Sequence, residues 1–147
     1  MKHIVVTLDE KVVVGVSAKT SNEDPKMTEI IGGLWDTLYN TGIYGLIKNK
    51  RNEYAIGLYS DYTEDGGYTV TAGVEVGTPD NKDLTVKVIP AGKYAKFEVR
   101  GDVHTAVSEA WKDIWSMDLE RSYTGDFEEY LTSDMDNAQI DIYIALK

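Results

Sequence analysis

The chain has 147 residues, of which 42% are apolar, and this length and composition predict a single globular domain with its own core. Because 15 basic residues stand against 25 acidic ones, the net charge of −10 argues against binding to nucleic acid or to an anionic membrane surface. The absence of cysteine excludes disulfides and thiolate chemistry, and the two histidines, His3 and His104, are too far apart in sequence to indicate a metal site.

No apolar run approaches the roughly 20 residues that a membrane span requires, and the N-terminus lacks the apolar segment of a signal peptide. We therefore expect a cytoplasmic protein that uses neither a metal nor a cofactor.

The first part of the chain alternates strand and helix patterns. Residues 3–7 and 11–18 are rich in β-branched side chains and predict two strands. A helix should follow, with Asp24 as its cap and Pro25 at its first position. Its apolar residues recur at helical spacing on one face: Met27, Ile30, Ile31, Leu34, Trp35 and Leu38.

Two glycines, Gly32 and Gly33, interrupt this helix, and we expect them to allow close packing on a sheet. Residues 53–59 and 68–76 predict two strands joined by a turn. A loop over residues 77–81 is then interpreted as the joint between two halves, residues 1–78 and 79–147.

The second half shows a similar order of elements. Strands are predicted at residues 84–89 and 93–99, and Asp102 is the expected cap of a second helix. The apolar face of that helix comprises Val103, Ala106, Val107, Ala110, Trp111, Ile114 and Trp115. A short strand at residues 127–131 and an alternating strand at residues 139–146 close the sheet.

A shift of 76 residues superimposes the two helix patterns and aligns Trp35 with Trp111. Continued without a gap, the same shift aligns Tyr54 with Tyr130. This pattern predicts a duplicated strand–helix–strand–strand unit. The predicted fold class is α+β, a curved antiparallel sheet with two helices and a central groove, where a ligand would bind.

Several segments of the chain resemble the GyrI-like family of effector-binding domains. The resemblance rests mainly on residues 89–101, Ile-Pro-Ala-Gly-Lys-Tyr-Ala-Lys-Phe-Glu-Val-Arg-Gly. It extends to the strand at residues 68–76, the helix segment at 110–115, the Asp-Phe-Glu-Glu-Tyr motif at 126–130 and the last strand at 140–144.

The resemblance implies a stand-alone small-molecule-binding domain with an aromatic cavity. It also implies that Glu128, two residues before the motif tyrosine, contacts bulky, flat, cationic compounds. The chain has no room for a helix-turn-helix domain, so the resemblance implies no role in DNA binding.

The candidate site therefore combines a carboxylate with aromatic rings. A buried carboxylate is costly unless it is paired, and a cationic aromatic ligand would supply the missing charge and stack on the rings. Glu75 is a candidate second carboxylate of the pocket. The candidate lining residues are Tyr54, Tyr59, Tyr68, Trp111 and Tyr130. Ordinary core packing is the alternative for each aromatic residue, above all for the tryptophans on the helices.

Two other functions use the same sequence features. One branch of the resembling family hydrolyses cyclopropane-containing toxins, and in such an enzyme Glu128 or Glu75 would act as the base and Tyr130 or Tyr54 as the proton donor. Alternatively, the acidic clusters at residues 64–65, 118–120 and 134–136 would present a negative surface that inhibits a protein partner.

Overall fold

Residues 1–80 and 83–147 are described by the computed structural model, in which they form eight strands and three helices. Asn81, at the end of the expected loop between the halves, lies outside the described residues. The elements are β1 (Ile4–Leu8), β2 (Lys11–Ser21), α1 (Met27–Asn40), α2 (Ile43–Leu46), β3 (Lys50–Ser60), β4 (Gly67–Val76), β5 (Thr85–Ile89), β6 (Gly92–Gly101), α3 (Val103–Ser116), β7 (Asp126–Tyr130) and β8 (Ala138–Ala145).

All eight strands form one antiparallel sheet in the order β1-β6-β8-β7-β3-β4-β2-β5. This order is symmetric about the central β7–β3 pair. The first strand of each half pairs with a strand of the other half. β1 of the first half lies beside β6 of the second, and β5 of the second half lies beside β2 of the first. The predicted α+β class with a curved antiparallel sheet is confirmed, and the short helix α2 adds a third helix to the two predicted.

The two long helices lie on the same face of the sheet, each over its own apolar cluster. Leu34 and Leu38 of α1 pack with strands β2 and β4. Ala110 and Ile114 of α3 pack with β6 and β8. The opposite face buries a third cluster, to which Phe127 and strands from both ends of the sheet contribute. Because both faces are covered, β4 is buried along almost its whole length.

A glycine pair allows β2 and β4 to approach closely. Gly15 and Gly73 lie opposite each other in the ladder. A Cβ atom at Gly15 would lie 1.9 Å from the carbonyl oxygen of Ala72, and one at Gly73 would lie 2.2 Å from that of Val14. No side chain fits at either position without moving the backbone, so both positions require glycine.

The second long helix begins as predicted. Asp102 is its N-cap, and the carboxylate accepts hydrogen bonds from the backbone N–H groups of His104 at 3.1 Å and Thr105 at 3.2 Å. These contacts satisfy donors that the first turn of a helix leaves unpaired.

The first helix begins later than predicted. Its N-cap is Lys26, which makes no capping hydrogen bond through its side chain. The Asp24 carboxylate instead accepts from the backbone N–H of Lys26 at 2.8 Å and from the hydroxyl of Thr20 at 3.2 Å, so it stabilises the turn before the helix. The packing role expected of Gly32 and Gly33 is also wrong, because a Cβ atom at either position would meet nothing within 4 Å.

None of the helices in the described residues is long and apolar enough to cross a membrane.

Candidate functional site

A cavity of about 1660 Å³ opens on the face of the sheet that carries the helices. Both long helices line it with residues at matching positions, such as Trp35 and Trp111, or Tyr39 and Trp115. The central strands β3 and β7 contribute Tyr59, Glu128 and other residues. Many of the lining side chains are aromatic, and hydrophobic and aromatic side chains are usual in the lining of small-molecule sites.

Glu128 lines this cavity and is 3% exposed. Three side chains donate hydrogen bonds to it. The indole Nε1–H of Trp111 lies 2.7 Å from Oε2, and the hydroxyl of Tyr59 lies 3.1 Å from the same oxygen. The hydroxyl of Tyr130 lies 2.8 Å from Oε1. These donors hold the carboxylate in one position.

The charge of Glu128 has no cationic partner, since none of the ion pairs formed by the described residues includes it. Burial raises the pKa of Glu128, and the hydrogen bonds from Trp111, Tyr130 and Tyr59 oppose this rise without cancelling it. The cavity lining alone therefore favours the protonated, neutral form of the side chain more than water does.

Burial and the neighbouring Glu128 carboxylate raise the pKa values of Tyr59 and Tyr130 well above the ordinary range. Both hydroxyls therefore keep their protons and remain donors toward the carboxylate.

Gly57 provides the space into which Glu128 extends. The two residues lie opposite each other in the β3–β7 ladder. A Cβ atom at Gly57 would lie 3.1 Å from Oε1 of Glu128 and 3.3 Å from Cζ2 of Trp35. A side chain at this position would therefore crowd both the carboxylate and the tryptophan.

The same ladder corrects the alignment of the two halves. Tyr59 lies two residues after Gly57 and Tyr130 lies two residues after Glu128, so Tyr59, and not Tyr54, is the counterpart of Tyr130. The 76-residue shift does relate the bounds of α1 to those of α3. The same shift does not relate the central strands, because the first half carries α2 between its long helix and its central strand. The duplication itself stays a prediction.

Most of the predicted lining residues are brought together. Tyr59, Trp111 and Tyr130 contact Glu128 as described. The ring of Tyr68 packs against that of Tyr59 at 5.6 Å between centroids, and its hydroxyl donates to Oδ1 of Asn22 at 2.6 Å. Tyr54 lines the cavity with 41% of its surface exposed and is not among the donors to Glu128.

The structure does not bring Glu75 to the cavity. The side chain of Glu75 points to the opposite face of the sheet, where its carboxylate lies 3.3 Å from Nζ of Lys11 and 3.9 Å from Nε of Arg51. The physical reason is that Val74 and Val76, its neighbours on β4, pack toward helix α1 on the side of the cavity. A site with two carboxylates is therefore not assembled.

For Trp35 the sequence favours ordinary core packing, but the structure places this residue in the cavity wall. Its ring packs edge-on against Tyr130 at 5.4 Å between centroids. The alignment of Trp35 with Trp111 is the sequence signal that could have identified it.

The sequence pattern assigns no role to Asp126, which lies two residues before Glu128. Its side chain is fully buried and accepts hydrogen bonds from Arg121, from the hydroxyl of Tyr62 and from the backbone N–H of Ala145 at 2.8 Å. The guanidinium of Arg121 also stacks over the ring of Tyr123 at 4.4 Å. Asp126 thus fixes the start of β7 and one rim of the cavity.

No group of His, Asp and Glu side chains in the described part of the chain is arranged to hold a metal ion.

Residues 4–146 match the family model of Cass2, the integron-associated effector binding protein. The chain belongs to this family. Membership confirms the resemblance to GyrI-like effector-binding domains and supports the binding of a small molecule.

The chain is also similar to proteins of known sequence and structure. YobU of Bacillus subtilis (strain 168), which is named as a candidate transcriptional regulator, is 36% identical over 157 residues that cover 95% of this chain and 94% of YobU. The integron cassette protein VCH_CASS2 of Vibrio cholerae has a similar structure, with a TM-score of 0.81 and 26% identity over 99% of this chain and 95% of that protein.

A third protein, SAV2435, was solved bound to tetraphenylphosphonium. Its fold is similar to that of this chain, with a TM-score of 0.83 and 21% identity over 100% of this chain and 94% of SAV2435.

Proposed function

We propose that this protein binds bulky, flat, lipophilic cations in its aromatic cavity, with Glu128 as the group that anchors their positive charge. The observation that carries the proposal is a buried carboxylate that has three hydrogen-bond donors and no cationic partner among the described residues.

The energetic argument concerns charge. Hydrogen bonds from Trp111, Tyr59 and Tyr130 orient the carboxylate of Glu128, but they do not neutralise it. Burying an ionised carboxylate without a counter-charge is strongly unfavourable. A cationic ligand supplies that counter-charge, and each aromatic face that it covers adds about 0.5–2 kcal/mol.

The relatives support this chemistry. The matching family binds effectors, and the similarly folded SAV2435 was solved with tetraphenylphosphonium, which is a bulky lipophilic cation. A cavity of about 1660 Å³ has ample room for a ligand of this size.

Isothermal titration calorimetry with tetraphenylphosphonium tests the proposal. Glu128→Gln keeps the shape of the side chain and removes its charge, so we expect affinity to fall by about tenfold or more. Glu129→Gln is the matched control, because Glu129 neighbours Glu128 on the same strand but faces the other side of the sheet. The control should bind as tightly as the wild type.

Triphenylphosphine oxide, which has a similar shape and no net charge, separates charge from ring stacking. The neutral compound should bind the wild type more weakly than the cation does. Its affinity should be the same for the wild type and for Glu128→Gln. Equal affinity of wild type and Glu128→Gln for the cation would contradict the proposal, as would tighter binding of the neutral compound.

A further inference from the structure

The aromatic rings around the cavity form two separate networks. The ring contacts of the described residues connect the members of each network and never join one network to the other. We call them the first lobe and the second lobe. The first lobe consists of Trp35, Tyr39, Tyr44 and Tyr130, and the second consists of Tyr59, Tyr62, Tyr68, Trp111, Trp115 and Tyr123.

The two lobes have matching centres. In the first, Trp35 of α1 packs edge-on against Tyr130 of β7, with 5.4 Å between centroids and 71° between planes. In the second, Trp111 of α3 packs edge-on against Tyr59 of β3, with 5.4 Å and 73°. Each lobe therefore pairs a tryptophan from the helix of one half with a tyrosine from the central strand of the other half.

Each lobe also has an outer ring at the same helix position. Tyr39 stacks on Trp35 with centroids 6.3 Å apart, and Trp115 lies 6.1 Å from Trp111. Both outer rings are about half exposed, at 47% for Tyr39 and 52% for Trp115. The aromatic surface of each lobe therefore extends from its buried centre to the solvent, and a ligand can pack along it.

Glu128 is the one group whose hydrogen bonds connect the lobes within the described residues. Its Oε1 accepts from Tyr130 of the first lobe, and its Oε2 accepts from Tyr59 and Trp111 of the second lobe. The buried carboxylate of Glu128 thus contacts both aromatic surfaces.

The size of the cavity agrees with this division. Its volume of about 1660 Å³ exceeds the roughly 300–1000 Å³ that is usual for a site holding one drug-sized ligand. A molecule with a single ring beside its charge would occupy one lobe and leave the other empty.

We infer that the ligand of this protein is a monocation with two aromatic arms, whose charge lies against Glu128 and whose arms occupy one lobe each. The inference rests on the proposed function and adds to it the shape of the ligand. One such molecule binds per chain, since there is one central carboxylate.

Two quaternary ammonium ions that differ in the number of rings test this inference. Benzyltrimethylammonium carries one ring, and dibenzyldimethylammonium carries two. The matched variants are Tyr39→Leu and Trp115→Leu, which remove the outer ring of one lobe each and keep an apolar side chain. Because both positions are half exposed, the fold should persist, and a thermal melt of each variant verifies this.

Calorimetry should show one two-ring cation per chain, bound more tightly than the one-ring cation. We expect each variant to weaken the two-ring cation by about threefold to tenfold, in line with the loss of one cation–π or stacking contact. At most one of the two variants should weaken the one-ring cation, because that ligand occupies a single lobe.

Other results would overturn the inference. It is wrong if only one of the variants weakens the two-ring cation, if the second ring adds no affinity, or if two molecules of the two-ring cation bind per chain. If both cations depend on Glu128 and the ring effects are absent, the proposed function stands and only the two-armed ligand is rejected. If neither ammonium ion binds the wild type but tetraphenylphosphonium does, only the two-armed ligand is rejected. If tetraphenylphosphonium does not bind either, both proposals are rejected.

Discussion

The two halves of the cavity share a scaffold and differ in one chemical group. Trp35 packs on Tyr130 with nearly the geometry of Trp111 on Tyr59. At the centre, however, one half supplies Glu128 and the other supplies Gly57, which lies directly opposite. A symmetric arrangement of rings thus surrounds an asymmetric charge. A second carboxylate at the central position would face the first at close range.

The hydrogen bonds follow this asymmetry. The indole N–H of Trp111 donates to Glu128, whereas Trp35 makes no hydrogen bond to it. The comparison indicates that the rings are general features of both halves, while the Gly57–Glu128 pair determines the charge of the site.

The largest effect should come from making the centre symmetric. Gly57→Glu would place a second buried carboxylate within reach of Glu128 and crowd Trp35. At neutral pH we expect it to lower the free energy of unfolding by about 3–5 kcal/mol, as measured by urea denaturation, because an uncompensated charge is buried. The loss should shrink as the pH falls, since protonating one carboxylate removes the repulsion.

Gly57→Ala measures the steric part of this cost alone. The double variant Gly57→Glu/Glu128→Gly, which moves the single carboxylate to the other half, should recover most of the lost stability. If Gly57→Glu alone is as stable as the wild type, then the centre has room for two charges and the comparison fails.

A smaller effect should distinguish the two tryptophans. Trp111→Phe and Trp35→Phe remove similar ring area, but only the first removes a donor from the buried carboxylate. We expect Trp111→Phe to be the more destabilising variant by about 1–3 kcal/mol in chemical denaturation. It should also raise the pKa of Glu128 further, because the hydrogen bond from Trp111 lowers that pKa more than the bonds from Tyr130 and Tyr59 do. Equal losses for the two variants would show that this hydrogen bond contributes nothing.

The smallest effect concerns the helices that carry these tryptophans. Gly33 of α1 and Glu109 of α3 hold matching exposed positions, and a Cβ atom at Gly33 would meet nothing within 4 Å. Gly33→Ala should therefore stabilise the protein by about 0.5–1 kcal/mol through helix propensity, and Glu109→Gly should destabilise it by about the same amount. A thermal melt of each variant checks this, and a loss of stability in Gly33→Ala would show that Gly33 has a packing role.

Sequence reasoning is most successful where one face of an element is buried. The helical spacing of apolar residues locates α1 and α3, and the chemistry of Asp102 locates the start of α3. The resemblance to effector-binding domains, and not the residue pattern alone, singles out Glu128.

The errors have physical causes. Alternation suggests Glu75 for the pocket because it faces away from Val74 and Val76, but both faces of β4 are buried and alternation cannot tell which face lines a cavity. Tyr54 aligns with Tyr130 only because a gap-free comparison ignores the extra helix α2, which changes the register of the central strand. The place of Trp35 in the cavity wall is missed because a residue that lines a cavity between helix and sheet shows the same helical spacing as a core residue.

The central claim is that a bound cation compensates the charge of Glu128. The direct measurement is the pKa of its side-chain carboxyl group, obtained by NMR titration with and without tetraphenylphosphonium. Burial should raise the pKa of Glu128 above its ordinary value in the free protein, and the cation should lower it. Affinity should accordingly fall as the pH drops through the raised pKa, with release of a proton on binding near that pH. A free protein in which Glu128 titrates at or below its ordinary value, or a pKa that the cation leaves unchanged, would contradict the account.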